Sequence, residues 1–197
     1  MKDGRSRLLW RGRAPFILAS ASPRRVTLLQ QAGAVFTVVD PGPDRDWPGE
    51  ASARSGVRAL ALDKARRVAA TRPDAVVLGA DTVVVIRGER LGKPANTAEE
   101  RAMLMRLHGR RHEVWTGLAL VHGPEQRTAA ECTVVRMAKL SERDLDAYLA
   151  TGESLDKAGA YGIQGLAGQF VKGIEGDYTN VVGLPLARLR ALLEEFA

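Results

Sequence analysis

A single cysteine, Cys132, stands in the 197 residues, so no internal disulfide can form and a reducing compartment, the cytoplasm, is expected. No apolar run approaches the ~20 residues that cross a bilayer, which argues against a spanning helix. The start, MKDGRSRLLWRGRAP, is basic but lacks the apolar stretch of a secretory signal. Aromatics make up only 5% of the chain, little stacking surface for a nucleic acid. The net charge of +6 does not restore that reading. Residues 1–13 alone carry +4, which leaves only +2 on the rest. Dedicated nucleic-acid binding is therefore not expected. Also missing are a GxxxxGK[ST] loop, a GxSxG elbow and an HExxH pair, so the P-loop, serine-hydrolase and zincin chemistries have no support. His108, His112 and His122 show no metal-ligand spacing and read as surface or strand histidines, and Cys132 reads as packing.

What is present is the composition of a folded α/β protein, 45% hydrophobic and 26% charged. Residues 1–13 read as a basic extension, the part least suited to packing, and 14–197 as a single domain. Phe16 to Ala19 predicts a short strand running into SASPRR, where Ser22 caps a helix and Pro23 opens it. That helix stops near Gly33, and Val35 to Val39 follows as a second strand. A Pro/Gly-rich loop, DPGPDRDWPGE, leads into a long helix over about Ala51–Ala70. AVVLGA (75–80) reads as a strand buried on both faces. VVVIRGERLG reads as a hairpin turning at Arg87 to Glu89. Thr97 with Glu100 and Ser141 with Asp144 read as capping boxes. Two long strands are expected at 112–122 and 126–138, and a last helix from Pro185. Seven of the twenty glycines fall in 156–183.

Four places suit chemistry. The strand–SASPRR–helix turn offers free amides, two hydroxyls, Arg24 and Arg25 to a polyphosphate, although the same residues also make an ordinary capped helix with two solvated arginines. Asp81 follows an apolar strand, so its carboxylate is expected at the strand's carboxyl end. There it could orient a water or hold a divalent metal, or serve as a turn residue. Lys64, on an alanine-rich helical face, and Lys93, in LGKP, are either phosphate ligands or snorkelling lysines. In DKAGAYGIQGLAGQF, Tyr161 and Gln164 could meet a base, Gln164 by paired hydrogen bonds; otherwise the stretch is a flexible loop.

Seven segments taken together, LASASPRR (18–25), ALDKA (61–65), GADTVVV (79–85), LGKP (91–94), HEVWTGLAL (112–120), DKAGAYGIQG (156–165) and EGDYTNVVGLPL (175–186), resemble the Maf, or septum-formation-inhibitor-related, nucleotide pyrophosphatases. The resemblance runs from about Pro15 to the C-terminus. It implies a two-lobed Maf/ITPase-like α/β fold, a long mixed sheet with flanking helices and a cleft between the lobes. It further implies hydrolysis of a nucleoside triphosphate to monophosphate and pyrophosphate with a divalent cation, Mg²⁺ or Mn²⁺. By the same resemblance Asp81 is the catalytic acidic residue, Lys64 and Lys93 bind phosphate, and Ser20, Ser22, Arg24 and Arg25 form the phosphate-binding turn. Arg24, Thr82 and Gln164 match the dTTP/UTP branch, whereas the 7-methyl-GTP branch shows tryptophan, glutamine and glutamate there. The family's acidic run after the second strand is replaced by DPGPDRDWPGE. Asp44 and Asp46 are the nearest candidates to assist Asp81 at the metal. A homodimer is a family expectation, and the family's older name leaves open a non-enzymatic role in septum formation.

Overall fold

The computed structural model describes residues 9, 10 and 12–196, so residues 1–8 and 11 of the expected extension lie outside the described residues. Trp10 donates its indole N–H to the Ala14 carbonyl at 3.0 Å and stacks on Phe16, with ring centroids 5.8 Å apart.

The elements run β1 (Phe16–Ala19), α1 (Pro23–Gln31), β2 (Thr37–Val39), α2 (Ala53–Ala69), β3 (Val76–Ile86), β4 (Glu89–Leu91) and α3 (Thr97–Leu107). Then come β5 (Arg111–His122), β6 (Glu125–Met137), α4 (Glu142–Leu149), β7 (Val171–Glu175), α5 (Tyr178–Val182) and α6 (Leu186–Glu194). Two short 3₁₀ turns, Ala158–Ala160 and Leu166–Phe170, organise the glycine-rich stretch. Among the described residues one seven-stranded sheet has the order β2-β1-β3-β5-β6-β7, with β4 paired to β3. β1 is parallel to β2 and to β3, while β3–β4 and β6–β7 are antiparallel, so the sheet is mixed as expected. No helix among the described residues is long and apolar enough to cross a membrane.

The chain divides into two compact units. The first holds the chain through Asp81, Thr116–Glu131 and the segment from Gly183 onward; the second holds Thr82–Trp115 and Cys132–Val182. In the first, Ile17, Ala19 and Val77 of the sheet pack against Ala61, Ala65 and Val68 of α2. Small residues allow a close fit. A Cβ on Gly79 would lie 2.1 Å from the Ala61 carbonyl oxygen, and one on Gly117 would lie 2.2 Å from the Val57 carbonyl oxygen. Both neighbours are backbone, so α2 sits on β3 and β5 at a distance that a methyl group would not permit. In the second unit, Met103, Leu104 and Leu107 of α3 and Leu145 and Tyr148 of α4 close over Val84, Ile86, Val114 and Val135.

Local sequence signals set most boundaries, and some differ from expectation. Pro23 opens α1, Gly33 follows its end with φ 71°, and Ser141 with Asp144 forms the expected capping box of α4. At α3 the cap is Asn96, whose side chain accepts from the Glu99 amide at 3.0 Å, while Glu99 accepts from the Ala95 amide at 2.8 Å. Asparagine caps as well as threonine and stands one residue earlier, so Thr97 and Glu100 become helical and Glu100 turns inward, 1% exposed. The expected break after residue 80 is absent. β3 continues through Gly79-Ala80-Asp81-Thr82 for 11 residues.

Candidate functional site

In the first unit, β1 delivers the chain to Ser20 at the entrance of α1. The Ser20 hydroxyl accepts two hydrogen bonds, from the Ser22 amide at 3.2 Å and from an Arg25 guanidinium nitrogen at 3.1 Å. Arg25 is not a solvated arginine. It is buried, and its Nε donates to the Gly183 carbonyl at 2.8 Å. Burial lowers the guanidinium's pKa from its ordinary value, opposed by the nearby charges of Asp81 and Asp44. Ser22 caps α1 by position and makes no side-chain cap bond. A helix start of this kind favours anions. Arg24 is half-buried at the same helix start.

Asp81 lies inside β3 rather than at its end. Residues two apart on a strand share a face, so Asp81 points the way a Gly79 side chain would, toward α2. Lys64 meets it from α2. The ammonium donates to Asp81 Oδ1 at 2.6 Å, and Lys64 is only 6% exposed. This lysine does not snorkel to water; the alanines on either side, Ala61 and Ala65, bring its helix close enough for a buried pair. Lys64 also reaches Asp44 Oδ1 at 2.7 Å. The loop carrying Asp44 is fastened to the same helix, where Arg67 Nη1 donates to the carbonyls of Pro41 at 2.5 Å and Pro43 at 3.0 Å. Of the two loop acids considered, Asp44 is the one that touches Lys64.

The first unit thus gathers Ser20, Ser22, Arg24, Arg25, Asp44, Lys64 and Asp81. Two carboxylates converge on one buried ammonium beside the start of α1. Among the described residues no group of three or more His, Cys, Asp or Glu side chains could hold a metal by themselves. Two hard oxygen donors do suit Mg²⁺ or Mn²⁺ when substrate phosphates and water supply the remaining ligands. Sequence reasoning missed Gly79, although a glycine inside an apolar strand is a signal of close backbone approach.

The second unit holds Thr82, Lys93 and Gln164. Thr82 is half-buried on β3, Lys93 is exposed beyond β4, and Gln164 is exposed between the two 3₁₀ turns. The loops of the last two are linked, because the Gly159 amide donates to the Gly92 carbonyl at 2.9 Å. At that junction Gly159 and the buried Ala160 both have positive φ, 71° and 60°. For alanine this conformation costs about 1–2 kcal/mol, which the surrounding packing must offset. Tyr161 is core rather than a base contact. It is 6% exposed, and its hydroxyl lies 2.7 Å from His112 Nε2. His112 is a strand histidine, as expected, but a buried one, and burial pushes its pKa down to about 4.

The model of the family described as Maf-like protein matches residues 15–196. A dTTP/UTP pyrophosphatase of Symbiobacterium thermophilum is 54% identical over 180 residues, covering 91% of this chain and 93% of that protein. A dTTP/UTP pyrophosphatase of Moorella thermoacetica is 51% identical over 183 residues, covering 91% of this chain and 94% of that one. Among solved structures, that of the Staphylococcus aureus Ham1 protein aligns with a TM-score of 0.52 at 18% identity, covering 93% of this chain and 100% of the other, a likeness of fold.

Proposed function

The chain belongs to the Maf family, and from that premise we propose that it hydrolyses dTTP and UTP to the nucleoside monophosphate and pyrophosphate. The observation that carries the reading is the buried Lys64 ammonium between Asp81 and Asp44, beside the α1 start. A triphosphate repels any nucleophile until its charge is neutralised. The Ser20 and Ser22 hydroxyls, Arg24, Arg25 and Lys64 supply donors and positive charge for that purpose. Asp81 orients the attacking water and accepts its proton. The water oxygen bonds to the α-phosphorus, and the bridging oxygen leaves with pyrophosphate. Asp81 and Asp44 would hold Mg²⁺ or Mn²⁺, which when bound neutralises phosphate charge and acidifies bound water. Lys64 keeps these two acids from repelling each other before substrate arrives. Thr82 and Gln164 serve the base: a uracil or thymine edge offers two carbonyls and one N–H, and an amide such as Gln164 can pair with the N–H and one carbonyl at once.

The test is a panel of UTP, dTTP, CTP and 7-methyl-GTP with Mg²⁺ in ¹⁸O-water, followed by ³¹P NMR and mass spectrometry. UTP and dTTP should give equal monophosphate and pyrophosphate, with the label in the monophosphate. Release of orthophosphate and a nucleoside diphosphate, or a preference for 7-methyl-GTP, would overturn the assignment.

A further inference from the structure

The turn over residues 162–166 presents the exposed Gln164 and is fastened by side chains from outside it. At its end, the Leu166 amide donates to Glu153 Oε2 at 2.8 Å. Glu153 is held in its turn by Tyr148, whose hydroxyl donates to Glu153 Oε1 at 3.1 Å. Tyr148 is buried on α4, with its ring edge-on to Phe170 at 5.9 Å between centroids. Glu153 is fixed from its own backbone, its amide donating to Thr151 Oγ1 at 3.2 Å and its carbonyl accepting from Lys157 Nζ. The glycines leave room for this arrangement. A Cβ at Gly165 would stand 2.4 Å from each Glu153 carboxylate oxygen, and one at Gly162 would stand 2.7 Å from Lys157 Cε.

We propose that Tyr148 and Glu153 are positioning residues for substrate specificity, holding the 162–166 turn in the one shape that presents Gln164 to the base. The proposal rests on the reading that Gln164 contacts the base. A stretch with glycine at 162 and 165 has much backbone freedom to lose, and without anchors it would occupy many conformations. The fraction of molecules ready to bind would fall, and apparent affinity would fall with it. Neither anchor reaches the polyphosphate-binding residues through any contact described above, so their removal should act on recognition of the base and not on the chemical step. Burial, reinforced by Glu153, raises the Tyr148 pKa, so the hydroxyl stays a donor.

The experiment compares UTP with ribose 5-triphosphate, which has no base, in the full-length protein and in Tyr148→Phe, Glu153→Gln and Gln164→Ala. Each substitution should lower kcat/KM for UTP by about 10-fold, mainly through KM, and leave the baseless substrate unchanged. In a Gln164→Ala background the other two should change the ratio no further. Exchange of the Leu166 amide, followed by NMR, should quicken by about 10-fold or more in Tyr148→Phe and Glu153→Gln. If Gln164→Ala leaves the ratio unmoved, the base reading falls and the proposal falls with it. If Gln164→Ala narrows the ratio while the anchor variants do not, or amide exchange stays slow, the anchoring role alone is overturned. Should Glu153→Gln fail to fold, Tyr148→Phe, which keeps the packed ring, decides between these outcomes.

Discussion

The Lys64 ammonium lies 2.6 Å from Asp81 Oδ1 and, with the same nitrogen, 2.7 Å from Asp44 Oδ1. Removing the cation leaves two carboxylates converging on one place. Lys64→Met should lower kcat/KM for UTP by at least ~10²-fold. It should also make the fold more responsive to metal, so that Mn²⁺ raises the melting temperature further than in the wild type. A thermal-shift titration beside the pyrophosphate assay checks both, and an unchanged Mn²⁺ response would remove Asp44 and Asp81 as joint metal ligands.

Asp81→Asn keeps the size and a hydrogen-bonding oxygen but takes away the base. Turnover should drop at least ~10²-fold with the circular dichroism spectrum unaltered. Near-normal kcat in a folded variant would take Asp81 out of the proton-transfer step.

Gly79→Ala tests the seat of α2. The added methyl meets the Ala61 carbonyl oxygen at 2.1 Å and the Ala65 amide nitrogen at 2.9 Å, so the helix must move. The expected cost is about 1–3 kcal/mol in urea unfolding, with a loss of turnover beyond what the unfolded fraction explains, because Lys64 rides on that helix. Wild-type stability in this variant would mean the contact has slack.

His112 sets a pH dependence. Its folded pKa, about 4, is below the ordinary 6.5, so between those values the unfolded chain takes up a proton that the native protein refuses. Stability should therefore be full above pH 6.5 and fall as the pH drops toward 4. The contribution lost by pH 5 is about 2 kcal/mol. Urea midpoints at pH 7 and pH 5 measure it. His112→Phe should flatten this slope, whatever it does to stability at neutral pH, and an identical slope would show that other groups carry it.

Gln164→Glu addresses the base. The glutamate removes a donor and sets a charge against a carbonyl, which should cost UTP and dTTP about 5- to 150-fold in kcat/KM. Guanine offers N–H donors on the matching edge, so 7-methyl-GTP should tolerate the change or gain from it. The three kcat/KM values in wild type and variant decide, and an unmoved ratio would separate Gln164 from recognition.

Much of the fold was legible because its signals are local. Pro23, Gly33, Ser141 and the long apolar runs of β3, β5 and β6 act within a few residues of themselves. What escaped depended on partners distant in sequence. GADT looked like a strand end because a glycine, an acid and a threonine interrupt the apolar run. The ladder continues through them because α2 covers that face and gives Asp81 its counter-ion. Lys64 read equally well as a snorkelling lysine, since neither Asp81, 17 residues away, nor Asp44 in a loop announces itself from the helix. Arg25 reads from sequence either as a phosphate ligand or as a solvated arginine, because its acceptors, Ser20 and Gly183, lie on both sides of it in the chain, the second 158 residues on. Tyr161 was offered to a base when its hydroxyl already belonged to His112.

The backbone contacts at Gly79 and Gly117 also bear on how this protein tolerates change. Where a helix rests on bulky side chains, drift in the core can be absorbed by repacking, and the helix wanders over generations. Here α2 touches β3 and β5 main chain to main chain, with no side chain between to be exchanged. Neighbouring core positions can vary and tax stability while the reach from Lys64 to Asp81 stays the same. Robustness of the chemistry to mutation is thus concentrated in two positions that admit no side chain at all.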